Sequence, residues 1–296
     1  MNFSKIDLLI ALSLLSAPPL TAFDPLCEPP PYPFGVSGMF LQVGDAHFRN
    51  SDFSSEHLRY TQSNAAFAYT HACNPYWGLI FGSGWVGTEL LWKENPFFKE
   101  DHFNYVNLSL GAYSTSMPGW TWILTGSMLI DTAVLDLGNY ALYQGVLYGK
   151  YEILPCVLFD VGCLLELGLS KGKIWPIFGF EWDPNERFSL NLVYPLDVSI
   201  EYDLFPWATI GGSIRFLRDR HRVLETEPVP LGIYEYETEG AEFDLILNPF
   251  DSLLLTGFVG KTFPGSLKMT DQRNHDPTYA KFKSAFYAGA SASLNF

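Results

Sequence analysis

Positive charge is scarce in this chain. Its 296 residues include 18 Lys and Arg against 32 Asp and Glu, a formal net charge of −14 at pH 7. Phosphate contacts need a basic surface, so this balance argues against a nucleic-acid binder. It argues equally against docking on an anionic lipid leaflet through basic residues. Charge of either sign is thin, at 17% of residues, where soluble domains usually carry about 25%. Cysteine is sparse too. Cys27, Cys73, Cys156 and Cys163 form no CxxC pair, and no histidine stands at zinc-finger spacing, so neither a metal nor another cofactor is expected. Beyond the N-terminal segment no stretch has the 18 consecutive apolar residues of a membrane-crossing helix, and helical periodicity is hard to find.

What is present is apolar and aromatic side chain: 48% of residues are hydrophobic and 16% aromatic. Such a chain either builds a large core or turns one face to lipid. The start, MNFSKIDLLIALSLLSAPPLTAF, has a lysine, an apolar stretch and then small residues. That is the order of a secretory signal peptide cleaved after Ala22, with a buried or interfacial N-terminal helix as the alternative. Residues 23–35 contain the proline-rich DPLCEPPPYPFG, a stiff lead-in, and 36–296 read as one domain. Export makes disulfides permissible. Cys27 with Cys73 is the easier bridge, because Cys156 and Cys163 fall on opposite faces of a single straight strand; four independent thiols are the alternative.

Period-two patterning runs through the domain. In DVSIEYDL, Val198, Ile200, Tyr202 and Leu204 alternate with Asp197, Ser199, Glu201 and Asp203. Comparable alternation covers 105–112, 188–194, 208–216 and 241–247, the mark of strands with one apolar and one wet face. The connections have their own rhythm. Short turns such as NPFD, FPW and DPNE alternate with long stretches such as WKENPFFKEDH, RDRHRVLETEPVP and the polar run TFPGSLKMTDQRNHDPTYAKFK before the last strand. Short turns at one end and long loops at the other describe an outer-membrane barrel. The fold expected is therefore an all-β, transmembrane, antiparallel up-and-down barrel of 12–14 strands, with VSGMFLQV supplying a strand if the number is 14. A secreted β-sandwich is the alternative. Strand lengths near the 9–11 residues that cross a bilayer favour the barrel. So do Trp77, Trp92, Trp120, Trp182 and Trp207 near strand ends, where an aromatic girdle sits.

The final segment, AFYAGASASLNF, places Phe286, Ala288, Ala290, Ala292, Leu294 and Phe296 on one face. It resembles the C-terminal sorting signal of bacterial outer-membrane proteins, which implies outer-membrane lipid and the barrel-assembly machinery as partners. KIWPIFGFEWDP, FSLNLVYPLDVSIEY and RHRVLETEPVPLGIYEYETEGAEF are similar to a family of uncharacterised outer-membrane barrels in chlamydiae, over residues 173–296. That resemblance brings a fold and a location but no activity.

Candidate chemistry is slight. GLSKG at 168–172 fits the GxSxG nucleophile elbow in letters, but a strand, KIWPIFGF, follows where a helix is required; Ser170 reads as a hairpin turn residue. The six histidines, at 47, 57, 71, 102, 221 and 275, form no HExxH and read as solvated loop residues. Charge is more suggestive. Asp197, Glu201, Asp203, Arg215, Glu242 and Asp244 are candidates to line a pore, with Arg218, Arg220, His221 and Arg222 as a basic loop beside them. Rings of charge select ions by sign, so one reading is a passive, weakly cation-selective pore for small solutes or cations. The other is a closed structural barrel with mutually neutralised salt bridges. A barrel hydrolase and a soluble ligand-binding sandwich are the further alternatives.

Overall fold

A computed structural model describes residues 32–50, 53 and 55–296. The signal-peptide segment, most of the proline-rich lead-in and Cys27, hence the Cys27–Cys73 bridge, lie outside the described residues. The first six strands are β1 (Phe34–His47), β2 (His57–Asn74), β3 (Trp77–Leu91), β4 (His102–Ser114), β5 (Trp120–Asp131) and β6 (Leu142–Leu154). Next come β7 (Val157–Gly168), β8 (Lys173–Asn185), β9 (Phe188–Tyr194), β10 (Asp197–Phe205) and β11 (Ala208–Arg222). The last five are β12 (Ile233–Phe250), β13 (Leu253–Thr262), β14 (Gly265–Thr270), β15 (Thr278–Phe282) and β16 (Phe286–Asn295).

Each strand from β1 to β12 pairs antiparallel with its successor, β13 pairs with β16, and β16 returns to β1. The result is a closed, 14-strand up-and-down barrel. Closure removes the exposed edges that a sandwich would keep. At the seam, Phe34 N donates to Phe296 O at 3.0 Å, Phe296 N donates to Phe34 O at 2.9 Å, and the two rings stack at 5.7 Å.

The alternation is obeyed around the ring. Phe40, Leu110, Leu124, Phe178, Phe243 and Val259 stand exposed on the outer wall, while Leu41, Asn107, Thr125, Ile177, Asp244 and Phe258 are buried inside. An apolar wall facing out over a partly polar interior inverts the arrangement of a soluble domain. Connections at the end that holds Phe34 and Phe296 are short (75–76, 115–119, 155–156, 186–187, 206–207, 251–252), and the long ones (92–101, 132–141, 223–232, 263–285) all lie at the other end, beside short ones at 169–172 and 195–196.

Three departures from the sequence reading appear at the loop end. First, residues 265–282 contain a hairpin, not only a polar loop. β14 pairs with the start of β12 and β15 pairs with β14. Arg49 N then donates to Lys281 O at 2.7 Å and Lys283 N to His47 O at 2.8 Å. The hairpin fills the place between β12 and β1 that β13 and β16 occupy lower down. Its own alternation explains it, because Leu267, Met269, Ala280 and Phe282 point inward and are buried. Second, Arg218, Arg220, His221 and Arg222 belong to strand β11 and not to a loop. Third, β9 and β10 have only 7 and 9 residues and meet at the tight 195–196 turn. The wall is therefore low there. β10 follows β11 only as far as Ser199 opposite Ser213, and above that point β11 pairs with β12 alone.

Candidate functional site: the barrel lumen

The six acidic and basic pore candidates all point inward. Arg215 makes a two-pronged bond with Glu242, Nε to Oε2 at 2.8 Å and Nη2 to Oε1 at 2.7 Å. Its guanidinium lies 4.2 Å from the centre of the Phe258 ring. Ser213 Oγ lies between Glu242 Oε1 at 2.9 Å and Asp244 Oδ2 at 3.0 Å. Thr209 donates to Asp203, and Asp197 and Glu201 are buried in the same wall. Nearby, Lys150 Nζ meets Glu181 Oε1 at 2.7 Å, Tyr148 donates to Asp160, and Asn191 Nδ2 donates to Ser199 Oγ at 3.1 Å. Asp160 is 0% and Asn191 1% exposed. Groups lining a wide aqueous bore are wet, and these are not.

The basic run is divided by its strand position. Asp219 and His221 point into the lumen, and Tyr234 Oη donates to Asp219 Oδ2 at 2.8 Å. His221 is 1% exposed, which corrects its reading as a solvated loop residue. Arg218, Arg220 and Arg222 take the opposite face. Without β10 beside it, this outer half of β11 and the β12 segment paired with it form a ribbon across the barrel mouth. Its arginine-bearing face lies on the inner face of β6, β7 and β8 around a cavity of about 40 Å³ that Leu142, Leu164 and Trp175 help to line. Arg220 bonds Glu166 Oε1 and Glu235 Oε1, each at 3.1 Å, and its Nη groups reach Lys171 O at 3.0 Å and Leu169 O at 3.1 Å. Lys173 Nζ meets Glu235 Oε2 at 3.0 Å, and Arg218 meets Glu237 at 3.0 Å.

The ribbon's other face carries the side chains that sequence reasoning passed over. Tyr236 stacks on Tyr60 of β2 at 4.3 Å with 4° between ring planes. His221 stacks on Tyr105 of β4 at 4.0 Å, and Tyr234 meets Phe103 at 4.6 Å and Phe98 at 5.4 Å. The YEYE run at 234–237 contained the signal: two tyrosines at period two, facing away from two glutamates. Trp92 joins this apolar cap, 4.3 Å from Phe48, and is buried. It is no part of a girdle, whereas Trp77, Trp182 and Trp207 are exposed on the outer wall near the turn end.

Ser170 lies in the tight connection after β7 with φ 69°. Its Oγ donates to Gln272 O at 2.9 Å and accepts from Arg222 Nη2 at 3.0 Å, and strand β8 follows where an elbow would need a helix. In the 92–101 loop, Glu100 is half-buried beside Asp131 and Glu227. Burial, followed by repulsion from Asp131, pushes its carboxyl up to about 7. Among the described residues no group of three or more His, Cys, Asp or Glu is arranged to hold a metal ion.

This is the architecture of an outer-membrane-type up-and-down β-barrel. An outer-membrane channel from Pseudomonas putida F1 superimposes with a TM-score of 0.51 over 91% of this chain and 97% of its own, at 9% sequence identity, a likeness of fold alone. In sequence the chain is similar to a Chlamydia pneumoniae protein, 31% identical over 284 residues that span 91% of this chain and 89% of that one. A Chlamydia trachomatis protein is 30% identical over 291 residues, spanning 92% and 90%. The chain belongs to this family of uncharacterised chlamydial barrels. No protein-family model matches it.

Proposed function

We propose that the protein is a structural surface barrel of the outer membrane with a shut lumen, and not a passive pore. The Tyr60–Tyr236 stack at 4.3 Å carries this reading, because it joins β2 to the ribbon through the space a permeating solute would need. Ion pairs below it, Arg215–Glu242 and Lys150–Glu181, neutralise one another and do not present opposed rings of free charge. In a membrane, the end with short turns and the Phe34–Phe296 seam faces the periplasm and the loop end faces outward. The outer-wall apolar side chains then meet lipid, and solutes or cations pass only if the ribbon moves.

Planar-bilayer recording of detergent-refolded, heat-modifiable protein tests this. The expected result is a flat baseline at moderate voltage. Steady, ohmic conductance steps from the wild-type chain would overturn the closed reading.

A further inference from the structure

The net charge of −14 conceals a local reversal of sign. Where the upper ends of β13, β16 and β1 meet the β14–β15 hairpin, Lys261, Lys281, Lys283, Arg49 and Arg59 gather on the outward face. The register sets them in rows. Lys261 is opposite Phe286, and Arg59 beyond β1 meets Asp45 at 3.1 Å. One row up, Lys283 N bonds His47 O, and above that Arg49 N bonds Lys281 O. Lys261, Lys281, Lys283 and Arg49 are exposed, and none makes an ion pair with a carboxylate among the described residues. The Lys261 ammonium instead lies 5.3 Å from the centre of the Phe286 ring. Below these charges is an outward groove of about 880 Å³ whose lining includes Val259, Lys261, Phe286, Ala288 and Arg59. Acidic residues border the cluster: on β12, Glu239 is two residues from Ala241, the register partner of Lys261, and Glu237 is opposite Ser266, which pairs in turn with Lys281; on the β3–β4 side Glu89 and Asp101 both meet His102.

Height decides what this face meets. Phe296 closes the seam at the turn end, and the 10 residues of β16 lead from it up to Phe286. At about 3.4 Å per residue and a tilt of about 40°, they rise about 25 Å, the height of the apolar band of an outer-membrane barrel. Phe286 and Lys261 therefore stand where acyl chains give way to headgroups, and the remaining basic residues lie at headgroup level.

We infer that this face binds the phosphorylated headgroup of an outer-leaflet glycolipid. Lys261, Lys281, Lys283, Arg49 and Arg59 contact phosphate, and Val259, Phe286 and Ala288 lie against the acyl chains. A phosphate monoester carries between one and two negative charges at neutral pH with strong acceptor oxygens, which suits a cluster of exposed ammonium and guanidinium donors. The inference rests on the outer-membrane reading above.

The full chain, refolded in detergent, is first assayed for its compact heat-modifiable form, which tests the barrel independently of any lipid. The folded sample is then titrated by native mass spectrometry with a bisphosphorylated diglucosamine lipid and with the same lipid stripped of both phosphates. The phosphorylated lipid is expected to bind at least about tenfold more tightly. The triple variant Lys261→Gln, Lys281→Gln, Lys283→Gln is expected to lose about tenfold or more of that affinity while staying heat-modifiable, and Lys171→Gln, in the exposed β7–β8 connection on the far side of the ring, is expected to bind as wild type does. Equal affinity for the two lipids, or a folded triple variant that binds like wild type, overturns the inference and leaves the barrel standing. A chain that never becomes heat-modifiable overturns the barrel reading, and the inference with it.

Discussion

Tyr287 lies flat across two strands because those strands give it glycine. A Cβ on Gly260 would meet its Cζ at 2.5 Å, and one on Gly240 its Cε1 at 2.6 Å, so the ring occupies room that any other residue would fill. Gly260→Ala is expected to lower the temperature at which the compact gel form is lost, by overpacking worth about 1–3 kcal/mol. Combined with Tyr287→Ala, the same substitution should cost much less than the sum of the two single changes; simple additivity would show that the ring and the glycine do not act together. Glu100 provides a second test at this scale. Its carboxyl is raised from the ordinary 4.5 to about 7 in the fold. Between those values the folded chain holds a proton that the unfolded chain has released, so stability falls as pH rises through this window and levels off above it. The amide of Val229, bonded to Phe97 O across the same loops at 3.2 Å, should exchange faster at pH 8 than at pH 5 after correction for intrinsic rates. Glu100→Gln should flatten that difference, and an unchanged difference in this variant would exclude Glu100 as its source.

At the scale of elements, the closed reading proposed above makes the ribbon formed by the outer halves of β11 and β12 the element that decides whether the barrel conducts. Arg220, with 4% of its side chain exposed, holds Glu166 and Glu235 together. Arg220→Ala strands Glu166 in a dry site and leaves Glu235 to Lys173 and Lys268, a loss of about 3 kcal/mol. It should loosen the ribbon and produce flickering conductance in bilayers where the wild type is expected to give a flat baseline. A variant that stays silent while its melting falls would mean that Arg220 holds the ribbon without gating it. This ribbon was the least legible part of the sequence. Alternation up to Phe216 marked the strand, but RDRHR reads as solvated loop because lone arginines avoid burial. Only the carboxylates brought in from β7 and β12, distant in sequence, make that burial affordable. β14 and β15 were hidden for another reason: each has few residues, 6 and 5, and the polar residues between them dominate the window. By contrast, DVSIEYDL and AEFDLIL could be read residue by residue, because a wall between two media imposes period two with little interruption. The inward direction of Asp197, Arg215 and Glu242 followed from that period. Whether the space they face is open did not, since it depends on Tyr60 meeting Tyr236 across many residues of sequence.

For the whole molecule, closure is the organising fact. A 14-strand ring has no edge strand to protect, so its cooperativity depends on the β1–β16 seam as much as on any interior packing. The seam ends in a small aromatic cluster, with the Phe34 ring 5.7 Å from Phe296, 4.9 Å from Tyr69 and 6.0 Å from Phe67. Two backbone bonds between Phe34 and Phe296 complete it. Removing Phe296 therefore takes away both terminal bonds and one ring, while Phe296→Tyr keeps the bonds and nearly all of the contact. Phe296→Ser keeps the bonds and loses the ring. If the aromatic face of β16 guides assembly as well as closing the seam, the deletion and the serine variant should both give exported chain that accumulates unassembled, with the tyrosine variant close to wild type. If backbone closure alone matters, the serine variant should assemble normally and only the deletion should fail. Heat-modifiable fraction in isolated outer membranes, measured beside total exported protein, separates these outcomes. Normal assembly of the deletion variant would remove Phe296 from both roles.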